Sequence, residues 1–306
     1  MLRAAKSQKR KYRRETTARI AVLTAALVST LKKRLSLPST LDQRSADAIE
    51  ETVFWHLIGI LLGPDQGIGS GSGIEWRGKK YVVSAKHNFV LPGRPDVSLQ
   101  SVRFLRRKSP TIQRATVNEY LAGQPAVQVP EDLRFHRVLL WQKDDLSLIE
   151  PDMDDERWAR VRFHRIRRKA RTPQRGAACI LGWPFARTVT LSRQAKALLP
   201  QSVWALIECP TNPALRDYDA ARHFLFPWDD KIVGVDPRGI SGACFWWKRR
   251  GEGRVWSPTD AEPIGVCTHY FRERGLLKAV RIEGLIEFLT DVDMNQSITI
   301  LGRTTN

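Results

Sequence analysis

From residue 67 to residue 73 the chain places glycine at every second position: Gly67-Ile68-Gly69-Ser70-Gly71-Ser72-Gly73-Ile74. Glycine in a strand leaves nothing to pack, so the stretch reads as a strand that a second backbone approaches closely. A phosphate cradle is the competing reading, but the residues match neither a Walker A loop nor G-x-G-x-x-G. The surroundings favour strands. Short apolar runs rich in β-branched and aromatic residues fall at 53–62, 81–83, 97–105, 126–129, 138–141, 177–181, 203–207, 231–235, 243–247 and 264–270. Glycine, proline and charged turns separate them, as in an all-β core. Hydrophobic residues make up 42% of the 306, enough for a sizeable core and too many for a disordered chain.

The net charge of +18 is unevenly placed. Residues 1–34 hold eleven Lys/Arg against Glu15 alone, and residues 157–175 hold nine Lys/Arg and no acid. The remainder is close to neutral. Such runs are solvated faces or contacts for an acidic surface. No nucleic-acid motif accompanies them, so nucleic acid is not an expected partner; a regulatory partner held by the basic N-terminal segment is. Residues 20–31 are apolar but too few to span a bilayer. Ile20, Leu23, Leu27 and Leu31 fall at helical spacing, which predicts a packed helix over 17–34; the alternative is a signal peptide in 1–31 and export. A capping pattern at Thr40 and Gln43 predicts a second helix over 41–52. Cys179, Cys209, Cys244 and Cys267 form no C-x-x-C pair and read as free thiols of a reducing, cytoplasmic compartment. Neither H-E-x-x-H nor paired C-x-x-C is present, so no metal or other cofactor is expected.

Gly239-Ile240-Ser241-Gly242-Ala243 puts a serine between two glycines, just before the apolar Cys244-Phe245-Trp246-Trp247. Ser241 is either an ordinary turn residue or a nucleophile beside free N–H donors. His87 follows the strand at 81–83, in Ser84-Ala85-Lys86-His87, and is either structural or a base. Asp145 opens Asp145-Leu146-Ser147-Leu148-Ile149 and is either a surface turn residue or the acid that orients a histidine.

The order His…Asp…Ser and three local contexts resemble the trypsin-like, chymotrypsin-fold serine proteases. Ser84-Ala85-Lys86-His87 is similar to that family's Thr-Ala-Ala-His, Asp145-Leu146-Ser147-Leu148-Ile149 to its Asp-Ile-Ala-Leu-Leu, and Gly239–Ala243 to its Gly-x-Ser-Gly-Gly. Two further stretches resemble the bacterial high-temperature-requirement branch: the glycine-serine strand before Tyr81-Val82-Val83, and Leu181-Gly182-Trp183-Pro184-Phe185 followed by Thr188-Val189-Thr190. The resemblance spans 53–292. It implies two six-stranded antiparallel β-barrels with the site in the cleft between them. The expected layout is a basic helical extension over 1–52, a first barrel over 53–150, a linker over 151–176 and a second barrel over 177–278. A C-terminal helix over 280–292 and a tail over 293–306 complete it, with no appended peptide-binding (PDZ) module. His87 would act as general base and acid, Asp145 would orient it, Ser241 would attack, and the N–H groups of Gly239 and Ser241 would form the oxyanion hole.

Several residues depart from the family's pattern. Ile240 stands where trypsins carry the aspartate of their zymogen switch, Ala243-Cys244 replaces Gly-Pro, and Lys86 precedes the histidine. The resemblance places the specificity pocket at Val235, Asp236 and Arg238 and at Thr268, His269 and Tyr270. Val235 stands where trypsin keeps its pocket aspartate, so a preference for Lys or Arg is not implied. The expected activity is a serine endopeptidase acting on protein or peptide substrates. The alternative is a weak or inactive protein of the same fold that uses its basic segments to hold an acidic partner.

Overall fold

The computed structural model describes residues 43–62, 68–90, 102–105, 133–174, 177–182, 188–190, 196–198, 201–210, 215, 217–228, 236–248 and 261–302. The helix expected at 17–34, the strand expected at 126–129, Trp183-Pro184-Phe185 and Val235 lie outside them. In chain order the elements are α1 (Gln43–Phe54), β1 (Leu57–Leu62), β2 (Ile68–Trp76), β3 (Lys79–Ala85), β4 (Val102–Leu105), β5 (Phe135–Trp141), β6 (Leu146–Pro151), β7 (His164–Arg165), β8 (Ala177–Gly182), β9 (Thr188–Thr190), β10 (Lys196–Leu198), β11 (Gln201–Leu206), β12 (His223–Pro227), β13 (Cys244–Lys248), β14 (Ala261–Phe271), β15 (Leu276–Arg281), α2 (Ile282–Met294) and β16 (Ile298–Gly302).

The strands form two large sheets and one small hairpin. The first sheet runs β16-β5-β6-β3-β2-β1-β4, antiparallel throughout, with short β7 added parallel to β2. The second runs β11-β8-β13-β14-β15-β12, and an isolated Glu208–Leu225 bridge links the far side of β11 to β12, so this sheet curls back on itself. β9 and β10 pair separately. The all-β, two-sheet architecture is the expected chymotrypsin-type fold class. The first sheet differs from a plain six-stranded barrel: it has eight strands, because β7 and β16 are added to it. Residues 298–302, expected as tail, form β16 and cover the edge of β5, pairing Ile300 with Leu139.

Glycine-serine strand β2 shows why every second residue lacks a side chain. A Cβ on Gly73 would stand 2.6 Å from the Arg162 carbonyl oxygen, and one on Gly69 would stand 2.5 Å from Asn88 Nδ2. Both contacts lie below any real Cβ separation, so backbone and side chain reach β2 only because glycine is there.

Apolar burial divides into three clusters. One fills the first sheet around Phe89, Phe104, Phe135, Trp158 and Ile149. Another fills the second around Phe224, Phe226, Trp228, Phe245 and Ile240. The third joins them, packing Trp76, Leu146 and Trp141 against Val266, Trp246 and Val280. Helix α2 closes this interface. Its Ile282, Leu285, Phe288 and Leu289 recur at helical spacing and are buried, with Phe288 stacked on Trp141 at 5.4 Å. α1 covers the other side through Ile49, Val53 and Phe54, and Trp204 Nε1 donates to Glu50 there at 2.8 Å. Each fully buried large side chain contributes about 1.5–3 kcal/mol, and this shared core fixes the two sheets as one unit.

Candidate active site

His87 sits in a single 3₁₀ turn, Lys86–Asn88, at the end of β3. Asp145 starts the turn into β6, the neighbour of β3, so the register brings the two together: Ala85 pairs with Leu146. Asp145 then holds His87 at two points. Oδ1 accepts from the His87 backbone N–H at 2.9 Å, and Oδ2 lies 2.6 Å from Nδ1. An ionised carboxylate only accepts, so the ring proton is on Nδ1 and Nε2 carries a free lone pair. The imidazole is 43% exposed, which leaves Nε2 open to a substrate.

Ser241 arrives from the second sheet, on the turn before β13. Two successive turns shape it: Ile240 N donates to Pro237 O at 2.9 Å, and Ala243 N donates to Ile240 O at 2.9 Å. Gly239 and Gly242 occupy the third position of each, with φ of 96° and 95°. A positive φ is needed there, and glycine takes it without strain. Among the described residues the N–H groups of Gly239 and Ser241 have no acceptor, so both donors are free for an incoming oxygen.

The glycine-serine strand docks this turn onto the first sheet. Ser70 N donates to the Ser241 carbonyl at 2.9 Å and Ser70 Oγ to the Gly239 carbonyl at 2.7 Å. Ser72 Oγ accepts from Cys244 N at 3.1 Å. Asn88, the residue after His87, donates to the same Ser241 carbonyl at 3.0 Å and to Ser84 Oγ at 2.9 Å. Behind the turn, Gly242 N donates to Cys267 O at 2.7 Å and Cys267 N to Ala243 O at 2.9 Å, which anchors it to β14. Ser241 is therefore brought to the neighbourhood of His87, although no hydrogen bond joins its Oγ to the imidazole in this structure.

Three sequence-level questions find answers here. Lys86 turns away from the site, its Nζ donating to the Trp141 carbonyl at 2.9 Å. The Ala243 methyl is buried in the second core and does not face the imidazole. Ile240 fills the same core. Of the residues assigned to a specificity pocket, Val235 lies outside the described residues. Asp236 accepts from Arg238 N and Nε, both at 2.9 Å. Thr268 is the extra residue of a β14 bulge and is fully buried, its hydroxyl unpaired. His269 is exposed with its ring on Phe271, and Tyr270 is half-buried. Partial covering of the ring, Lys278 and His87 lower the His269 pKa while Asp145 raises it, so β14 lies within electrostatic range of the His87–Asp145 pair.

Sequence reasoning missed the Ser70, Ser72 and Asn88 docking contacts and a charged contact behind Asp145. Asp144 is half-buried, and its carboxylate is taken up by neighbours other than His87. Its Oδ1 accepts from Asp145 N at 2.8 Å, while Oδ2 lies 3.1 Å from His223 Nε2 and 3.3 Å from Arg222 Nε. Asp219 N donates to His223 Nδ1 at 2.9 Å, so the proton of the neutral ring is on Nε2, facing Asp144. Burial alone would raise the Asp144 pKa; the hydrogen bonds from His223 and from Asp145 N, with Lys278 nearby, outweigh it and hold the carboxyl below its usual range. The serines alternating with glycine in β2 and the Asp144-Asp145 doublet were the available signals.

Among the described residues no group of three or more His, Cys, Asp or Glu side chains could hold a metal ion. No family model matches the chain, and no curated protein matches it. Several of the solved structures similar to it are named as proteases. A serine endoprotease from Yersinia pestis shares 12% identity over 82% of this chain and 67% of that one, at a TM-score of 0.46. The serine protease domain of the Sesbania mosaic virus polyprotein shares 11% over 77% and 92%, at 0.43. A catalytically inactive tobacco etch virus protease complexed with substrate shares 12% over 83% and 89%, at 0.41. Likenesses this distant do not bear on chemistry, which rests on the side chains themselves.

Proposed function

We propose that the chain is a serine endopeptidase of the trypsin-like class, nearest the high-temperature-requirement branch. The observation that carries this reading is the two-point His87–Asp145 pair on one sheet, facing a glycine turn that presents Ser241 from the other. In the reaction His87 Nε2 takes the Ser241 proton as Oγ attacks the peptide carbonyl. The N–H groups of Gly239 and Ser241 receive the oxyanion; loss of one such donor typically costs about 10²–10³ in rate. The imidazolium, stabilised by Asp145, protonates the leaving amine, and water then hydrolyses the acyl-enzyme. Substrate would close the gap between Oγ and Nε2, since catalytic hydrogen bonds often tighten only in the complex. The four free cysteines fit a reducing, cytoplasmic setting.

A fluorophosphonate probe tests the reading. Wild-type protein should be labelled, and Ser241→Ala and His87→Ala should not. The open Oγ–Nε2 gap is what favours the alternative, a binding protein of the same fold with a dead site. A folded wild type that resists labelling, with or without peptides, would establish that alternative instead.

A further inference from the structure

The basic connector between the sheets lines a cavity of about 850 Å³, formed by Trp76 and Arg77 at the end of β2, residues 164–168, and Glu262 of β14. The Ser241 turn does not contribute to it. Four arginines, Arg77, Arg165, Arg167 and Arg168, face this one space. Two have partners: Arg77 Nη1 lies 2.7 Å from Asp293, and Arg167 Nη1 lies 3.0 Å from Glu262. Arg165 and Arg168 have no carboxylate partner among the described residues. Among the described residues, setting Glu262 and Asp293 against the four leaves an excess of two positive charges.

The arginines do not sit on a free loop. β7 pairs with β2 through Ile74–His164 and Glu75–Arg165, and Ile166 N donates to Glu75 O at 2.8 Å. The Ile166 side chain is buried between them. The backbone carrying Arg165, Arg167 and Arg168 is therefore fixed, and their guanidinium forks are presented from a rigid edge. Gathering unpaired like charges costs energy by mutual repulsion, and an anion relieves it.

We infer that this cavity binds a compact oligophosphate. Planar guanidinium forks match phosphate oxygens in pairs, and several of them around one space suit a ligand carrying more than one phosphate. The volume falls within the range of small-ligand pockets. A single-stranded nucleic acid is a poorer fit, because such sites offer aromatic faces to bases, and the one tryptophan in the lining, Trp76, is 2% exposed. The ligand would touch β2, the connector and β14 together, and so tie both sheets to the segment that joins them. This inference does not depend on the proposed peptidase activity.

Inorganic tripolyphosphate is the probe, titrated into the full chain carrying Ser241→Ala by calorimetry. Saturable single-site binding is expected, weakened at least about tenfold in the Arg165→Gln, Arg168→Gln double variant and by rising salt. Both arginines are exposed, so the variant should fold, which circular dichroism checks. Arg272→Gln with Arg274→Gln, on an exposed turn elsewhere, should leave binding unchanged. A nucleoside triphosphate arm shows whether a base adds affinity. The inference is overturned by absent saturation, by equal affinity in the two double variants, or by an oligonucleotide that binds more tightly than tripolyphosphate through Arg165 and Arg168.

Discussion

Ser241 is tied to the first sheet by its backbone and not by its hydroxyl: its carbonyl takes two donors, Ser70 N and Asn88 Nδ2. This leaves the side chain free to turn while the main chain is fixed, as the proposed attack by Oγ requires. The tightest point is the next residue. A Cβ on Gly242 would collide with the Ser70 carbonyl oxygen and Ser84 Oγ, and its φ is 95°. Gly242→Ala combines left-handed strain with overpacking against backbone that cannot yield, so it should cost about 2–4 kcal/mol and abolish fluorophosphonate labelling. Ala243→Gly is the contrasting change. Its methyl sits in the core, so removal should cost only about 1 kcal/mol and preserve labelling. Denaturant unfolding and labelling of both variants check this; equal behaviour of the two would show that the docking contact does not matter.

At the scale of elements, many strands were legible, because alternating apolar runs and glycine turns are local signals, but β12 (His223–Pro227) was not among those expected. The residue neighbours of each candidate were less so. His87 and Asp145 could be paired only through a family resemblance, since nothing local says that β3 and β6 lie side by side. The β16 strand was read as tail: Ile298-Thr299-Ile300-Leu301 is short, and its only reason to be extended is the open edge of β5. Contacts between elements were invisible, and the Asp144–His223 pair is the clearest case. It links the β5–β6 turn to the start of β12 on the other sheet, directly behind Asp145. Removing one partner of this charge-assisted hydrogen bond leaves the other short of a partner, at a typical cost of about 1–3 kcal/mol. Asp144→Ala and His223→Ala should each destabilise strongly. The double variant should cost clearly less than the two added together. Additive losses in denaturant unfolding would mean that the two elements are not coupled there.

The molecule as a whole is held by the core between its sheets, and two histidines pack against that core. His56 and His164 pack on Trp246 of the second sheet, each ring centroid 5.2 Å from the indole. His56 Nδ1 lies 2.7 Å from the Arg162 carbonyl and so carries the proton of a neutral ring. Burial lowers both pKa values from 6.5 to about 4, with the nearby Arg162 and Arg167 and mutual repulsion adding to it. In the unfolded chain the same histidines take up protons near 6.5. Between pH 6.5 and about 4 the unfolded state therefore binds more protons than the folded one, and stability falls as pH falls. Above pH 6.5 both states hold neutral rings and the effect vanishes. A shift of this size corresponds to at most about 3 kcal/mol per histidine. Carboxylates held below their ordinary range, such as Asp144 and Asp155, lose their contribution only as pH drops beneath about 3.8, so the two windows separate. Urea unfolding of wild type from about pH 7 to about pH 4 should show this loss. His56→Gln, which keeps a donor for the Arg162 carbonyl but cannot charge, should start less stable and then flatten the profile. A variant whose stability declines as steeply as the wild type over that window would assign the acid sensitivity to some other group.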